Sequence, residues 1–164
     1  MNARLPTPLE AQEPAALGAR PTPLSFGPLA GIVGFHIARA AVTTQDNFQR
    51  HIAAAFDLNK IEFSLLMLVM ANPGIVPKRL ARALAVTAPK LTLLLDGLQA
   101  RHLIQRERNA ADGRSQHLLL TDRGRKLARE AAAAAEPMER ELLGPLSRAE
   151  HAMLIELLAK LAAC

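Results

Sequence analysis

The hydrophobic pattern of the first half of the chain predicts two helices. From about Leu29, apolar residues recur at three- and four-residue steps as far as Phe56, which predicts a long first helix. Asn59 followed by Glu62 is typical of a capping box, and the apolar positions after it predict a second helix. The run Asn-Pro-Gly at 72–74 predicts where that helix ends.

Two shorter helices are predicted next. Pro77 suits the first position of a helix, and Thr87 is a candidate N-cap for another that has Pro89 in its first turn and ends near Ala100. The apolar positions expected to face inward on this second short helix are Leu91, Leu94, Leu95 and Leu98. Two short helices joined by a tight turn form a candidate helix-turn-helix, although a structural helical hairpin has the same pattern.

A β-hairpin follows directly. Residues 103–108 and 115–120 are strand-like, and the turn-rich run 109–113 separates them. A hairpin after a candidate recognition helix is a wing. Its arginines, at positions 106, 108 and 114, put cations where a narrow minor groove concentrates negative potential.

The C-terminal pattern predicts two more helices. Thr121 is expected to cap a helix that reaches about Glu136, and Ser147 with Glu150 forms a capping box for the last helix. The apolar stripe of that helix consists of Met153, Leu154, Leu157, Leu158 and Leu161. Such a stripe can pack within its own subunit or against a second copy.

The positive charge is concentrated in the region of the candidate helix-turn-helix and wing. The chain has 20 Lys and Arg against 15 Asp and Glu, a net charge of +5 and a pI near 10.1. Between residues 77 and 126, eleven basic residues oppose four acidic ones, which gives +7 there and −2 elsewhere. A basic centre with neutral or acidic flanks is typical of a segment that meets phosphate, although a solvated charged face is also basic.

Other function classes find little support. The only cysteine, Cys164, excludes a disulfide framework, and the five histidines lack metal-ligand spacing. No glycine-rich phosphate loop follows a strand. We therefore expect no enzyme, no metal and no cofactor. Without a long apolar run or a signal-like start, we expect a soluble cytoplasmic protein.

Four motifs in order resemble the MarR family of bacterial regulators. They are the leucine-rich helix 91–98 with its aspartate, Arg-His-Leu-Ile at 101–104, Asp-Gly-Arg at 112–114, and Leu-Thr-Asp-Arg-Gly at 120–124. The resemblance covers nearly everything from residue 27 onward. It departs from the family at His102, where glycine is usual, at Leu93, where a polar or basic residue is frequent, and at Gly113, where arginine is frequent.

The resemblance implies a homodimer that binds double-stranded DNA at a pseudo-palindromic operator, with the first and last helices intertwined. The residues expected at DNA are Lys78, Thr87, Pro89, Lys90, Thr92, Arg106, Arg108, Asp112, Arg114 and Ser115. Asp112 is expected to hold a wing arginine. The resemblance also implies a small aromatic or anionic effector, for which the candidate residues are His36, Arg39, Phe63 and Met67.

Together these patterns predict a mainly α fold with a small β-hairpin wing, that is, a winged helix-turn-helix plus a helical dimerisation domain (α+β). The predicted parts are a flexible Pro-rich segment (1–25), the first long helix of the dimerisation region (26–58), the winged helix-turn-helix (59–126) and the C-terminal dimerisation helices (127–164). The predicted function is a sequence-specific, ligand-responsive repressor. The alternative is a winged-helix protein-interaction module without specific DNA binding.

Overall fold

The computed structural model describes residues 24–108 and 116–162. Its helices are α1 (Val33–Phe48), α2 (Ala54–Phe56), α3 (Lys60–Ala71), α4 (Pro77–Ala83), α5 (Ala88–Ala100), α6 (Asp122–Leu143) and α7 (Arg148–Ala162). A 3₁₀ turn at Gly27–Gly31 precedes α1. Strands β1 (Ile104–Arg108) and β2 (Gln116–Leu120) pair antiparallel, with Ile104 opposite Leu120. This confirms the predicted fold class.

The first helical run is continuous but not uniform. A π-helical turn, Gln49–Ala53, joins α1 to α2, and Ile52 within it is fully buried. Ile52 and Phe48 form a small core with Met138 of α6. The wide turn therefore lies where the first helix packs against the long C-terminal helix.

Local sequence signals account for most helix starts. The Asn59 side chain accepts hydrogen bonds from the backbone amides of Ile61 and Glu62, and the Glu62 side chain accepts from the Asn59 amide. Ser147 and Glu150 make the same reciprocal pair at α7, which lowers the pKa of Glu150. Both capping boxes are thus confirmed.

Helix α6 extends past its predicted end. Sequence reasoning ended it at about Glu136, whereas the helix continues through Pro137 to Leu143. Pro137 is exposed, and the next residue, Met138, is buried against α1. Packing of Met138 against α1 offsets the loss of the backbone hydrogen bond that proline cannot donate within the helix.

The main core lies between the helix-turn-helix, the wing and the start of α6. It contains Leu65 and Leu66 of α3, Leu80 of α4, Leu98 of α5 and Leu118 of β2, all fully buried. The predicted inward positions Leu91 and Leu95 are buried as well, and Leu94 is half-buried against this core. The wing and α5 consequently share one core.

A close junction joins the end of α5, the wing and α6. The Thr121 hydroxyl donates to the His102 carbonyl at 2.6 Å and accepts from the Gly124 amide at 3.0 Å, as expected of the α6 cap. The Thr121 amide donates to the Leu103 carbonyl at 3.1 Å. His102 adopts a left-handed φ of 55°, at the position where the MarR resemblance expects glycine.

Gly124 is required by this junction. A Cβ at position 124 would lie 1.8 Å from the Leu103 carbonyl oxygen, which is backbone and cannot rotate away. Gly124→Ala should therefore lower the free energy of unfolding by about 3 kcal/mol or more, measured by chemical denaturation.

Gly97→Ala is the matched control, because a Cβ there meets no atom within 4 Å. It should raise the free energy of unfolding by up to about 1 kcal/mol, since alanine is the better helix former. Equal stability of the Gly124→Ala variant and the wild type would contradict the close approach.

Candidate nucleic-acid interface

Helix α5 turns an exposed face away from the core. Leu91, Leu95 and Leu98 are buried on one side, whereas Lys90 and Thr92 are exposed. Pro89 is also exposed, in the first turn. The structure therefore leaves these three predicted DNA-contact residues free to meet a groove.

Thr87 occupies the N-cap position of α5, but its side chain makes no capping hydrogen bond. The predicted N-cap position of Thr87 is therefore confirmed, although the side chain does not take part in the cap. Pro89 at the second helical position has no N–H, which leaves the Lys90 amide as the one remaining donor for an N-cap oxygen. Thr87 is exposed, so its hydroxyl faces solvent.

Thr92 keeps part of its hydrogen-bonding capacity. Its hydroxyl donates to the Ala88 carbonyl at 3.1 Å within the helix, so the oxygen lone pairs remain available as acceptors. None of the ion pairs among the described residues involves Lys90. Lys78 is exposed in the first turn of α4.

Arg106 is committed to another contact. Its guanidinium on β1 donates to the carboxylate of Asp96 on α5, and its side chain is only 24% exposed. Its Nε is buried and has no hydrogen-bond partner among the described residues. Arg106 therefore ties the wing to the recognition helix, and Asp96 offsets much of its charge.

The wing tip lies outside the described residues, which include neither Asp112, Arg114 nor Ser115. Arg108 ends β1 opposite Gln116. The contacts predicted for these residues stay predictions, as does the flexibility predicted for residues 1–25, of which 1–23 lie outside the described part. Cys164 also lies outside the described part.

The predicted effector residues fall into two separate groups. His36 Nε2 lies 2.9 Å from the Ala30 carbonyl oxygen, and Arg39 stacks over the Phe26 ring at 4.6 Å. Phe63 packs edge-on against Phe48, with ring centroids 5.7 Å apart, and Met67 packs half-buried against the main core. Neither His36 nor Arg39 lines either of the two cavities described next.

Two cavities share Phe48 and Lys60 in their walls. The larger, of about 960 Å³, lies between α1, the start of α3 and α5, and also touches Lys90 and Arg101. The smaller, of about 220 Å³, lies between α1, α3 and α6. Phe63 lines the smaller one.

Asn47 is a polar residue of the smaller cavity that sequence reasoning missed. It is only 2% exposed, and its Oδ1 has no hydrogen-bond partner among the described residues. Burying such a group without a partner is unfavourable. Its only sequence signal is a polar residue beside Phe48 in an apolar run, and helical spacing does not reveal that this position is buried.

The described residues contain no group of side chains suited to hold a metal ion. None of their helices combines the length and apolarity that crossing a membrane requires.

Lys90 and Arg106 should affect DNA binding differently. Lys90→Gln should flatten the plot of log affinity against log salt by about one unit per bound subunit, because a free cation releases a counterion. The double variant Arg106→Gln/Asp96→Asn removes both charges of the pair and so leaves the net charge unchanged, and it should therefore lower affinity by a similar factor at every salt concentration. Fluorescence anisotropy across a salt series measures both, and equal flattening by the two variants would contradict the Asp96 pairing.

Comparison with known proteins shows which family the chain is related to. The sequence model of the MarR family matches residues 56–115. Transcriptional regulator HosA of Escherichia coli O157:H7 is 30% identical over 118 residues, which are 70% of this chain and 87% of HosA.

Two solved structures are similar to this chain over most of its length. Transcriptional repressor CouR bound to a 23-mer DNA duplex is 32% identical with a TM-score of 0.79, covering 86% of this chain and 99% of that chain. BpsR of Bordetella bronchiseptica, described for regulation of its DNA binding by 6-hydroxynicotinic acid, is 25% identical with a TM-score of 0.76, over 87% and 99%. By sequence and by fold the chain belongs to the MarR family, and it is a DNA-binding transcriptional regulator rather than an enzyme.

Proposed function

We propose that this chain is a repressor that binds a pseudo-palindromic operator as a homodimer and responds to a small aromatic anion. The observation that carries the dimer is the apolar surface of the terminal helices. No described residue of α7 is buried, and Leu157 and Leu161 are about half exposed, at 49% and 53%. On α1, Ile37 and Val42 are exposed as well, at 45% and 63%.

An apolar surface of this kind is typical of a subunit interface. The exposed large apolar residues lie between 24 and 42 and between 146 and 161, with Leu93 as the one exception among the described residues. A two-fold axis through these segments would cover both and would place two copies of α5 on successive half-sites. The repressor CouR, whose solved structure holds DNA, supports this mode of action.

The test is selection of binding sites from random duplex DNA with the full chain, followed by sedimentation. We expect an inverted repeat bound by a dimer. Leu157→Asp should give monomers or aggregates and lose most of the affinity, because an unpaired carboxylate in an apolar interface is unfavourable.

Gln99→Asp is the control, since it adds the same charge at an exposed position outside the terminal helices. It should remain dimeric. A stable dimer of Leu157→Asp would contradict the assignment of α7 to the interface. Selection of no preferred sequence would favour the alternative, a winged-helix protein-interaction module.

The effector proposal centres on the smaller cavity. Asn47 Oδ1 lacks a hydrogen-bond donor there, and the rings of Phe48 and Phe63 offer an apolar wall. Lys60 offers a cation at the side of the cavity formed by α3, while Glu139 lines the α6 side. A hydroxylated aromatic carboxylate supplies a donor, an anion and a ring. The effect of 6-hydroxynicotinic acid on BpsR supports this ligand class. His36 and Arg39 remain candidates outside this cavity.

Asn47→Leu should separate binding from stability. Without ligand, the variant should be more stable by about 1 kcal/mol, because it removes a buried polar group that lacks a partner. With ligand, 6-hydroxynicotinate should raise the melting temperature of the wild type more than nicotinate does, whereas the variant should not distinguish them. Equal discrimination by both proteins, measured by thermal denaturation, would remove Asn47 from the site.

A further inference from the structure

Leu93 is the most exposed large apolar side chain of the winged region. It is 73% exposed, and it lies on α5 directly opposite the buried leucines at 91, 95 and 98. At about 100° per residue, it points away from the core along the centre of the outer face. Whatever meets this face of α5 meets Leu93.

A leucine side chain can contribute only apolar contact. In the major groove, the one methyl group on a base edge is the C5-methyl of thymine, and the other distinguishing groups there are polar donors or acceptors. Next to Leu93 along the helix, Thr92 offers lone pairs and Lys90 a cation, which suit base donors and phosphate or guanine. The outer face is therefore chemically mixed, with one apolar position at its centre.

The charge beside Leu93 is also compatible with DNA. Asp96, three residues further along the helix, would repel phosphate, but its carboxylate is paired with Arg106. The same pair holds the wing beside the helix. Leu93 therefore lies on a face whose acidic group is already offset.

The isolation of Leu93 argues against a protein partner. Protein-docking surfaces are contiguous apolar patches, whereas the other exposed large apolar residues of the described chain lie in 24–42 and 146–161. We infer that Leu93 determines operator specificity by contacting the C5-methyl group of a thymine in the major groove. This inference depends on the proposed operator binding.

The experiment replaces thymine by deoxyuridine, which removes only the methyl group. A duplex of the selected operator is made with symmetry-related thymines replaced in both half-sites, one pair at a time, and the affinity of the full chain is measured by anisotropy. For wild type, at least one pair should reduce affinity about ten- to twenty-five-fold, which corresponds to about three- to fivefold for each of the two methyl groups removed from contact.

Three variants complete the test. Leu93→Ala should bind more weakly and lose discrimination at that one pair only. Leu93→Met should keep it, because methionine retains apolar reach, and Gln99→Ala, exposed on the flank of the same helix, should keep the wild-type profile.

The outcomes separate the two levels of the proposal. If wild type binds the operator but Leu93→Ala shows the same uracil profile, Leu93 reads no methyl group and the inference is overturned, while the proposed function stands. If Leu93→Ala leaves all DNA binding unchanged, Leu93 does not contact the operator, and the inference is overturned. If no operator can be selected, the proposed function fails, and this inference with it.

Discussion

The close approach of α6 to the Leu103 carbonyl is the constraint on which the rest of the winged region depends. Only a residue without a Cβ fits at Gly124, and Thr121 completes the junction by bonding to both His102 and Leu103. Three elements meet at this point: the end of the recognition helix, the first wing strand and the start of the long helix. Their relative orientation is therefore fixed by backbone contacts that side-chain rearrangement cannot relax.

This rigid unit connects α5 and the wing to the rest of the molecule through α6. At the far end of that helix, Glu141 accepts hydrogen bonds from Arg50, at 2.6 Å, and from His51, at 2.8 Å, and these contacts lower the pKa of Glu141. The smaller cavity lies between α6, α3 and the end of α1, directly before the π-helical turn that holds Arg50 and His51. A ligand there would bear on the spacing of α1 and α6, and α6 is joined directly to the recognition unit.

The basic side chains between residues 77 and 126 differ in their contacts. Arg106 is paired with Asp96 and holds the wing against α5, and Arg125 bonds to Asp122 and to the Leu120 carbonyl at the start of α6. Lys90 and Lys78 are exposed. A high local charge is thus an imperfect guide to phosphate contacts, because some of the arginines stabilise the fold that presents the others.

The sequence by itself determined the starts of α3, α6 and α7, the hairpin and the family, whereas the first helix begins at Val33 rather than near Leu29, after the 3₁₀ turn and the extended residue Ile32. Capping at Asn59, Thr121 and Ser147 depends on hydrogen bonds between residues at most three apart, so a local pattern predicts it. Only the tertiary structure decided that α6 continues through Pro137 and that Asp96 forms its ion pair with Arg106. In the first case packing outweighs the helix-breaking tendency of proline, and in the second the fold brings α5 and β1 together. Burial of Asn47 without a partner likewise depends on α1, α3 and α6 meeting around it, which hydrophobic spacing within one helix does not encode.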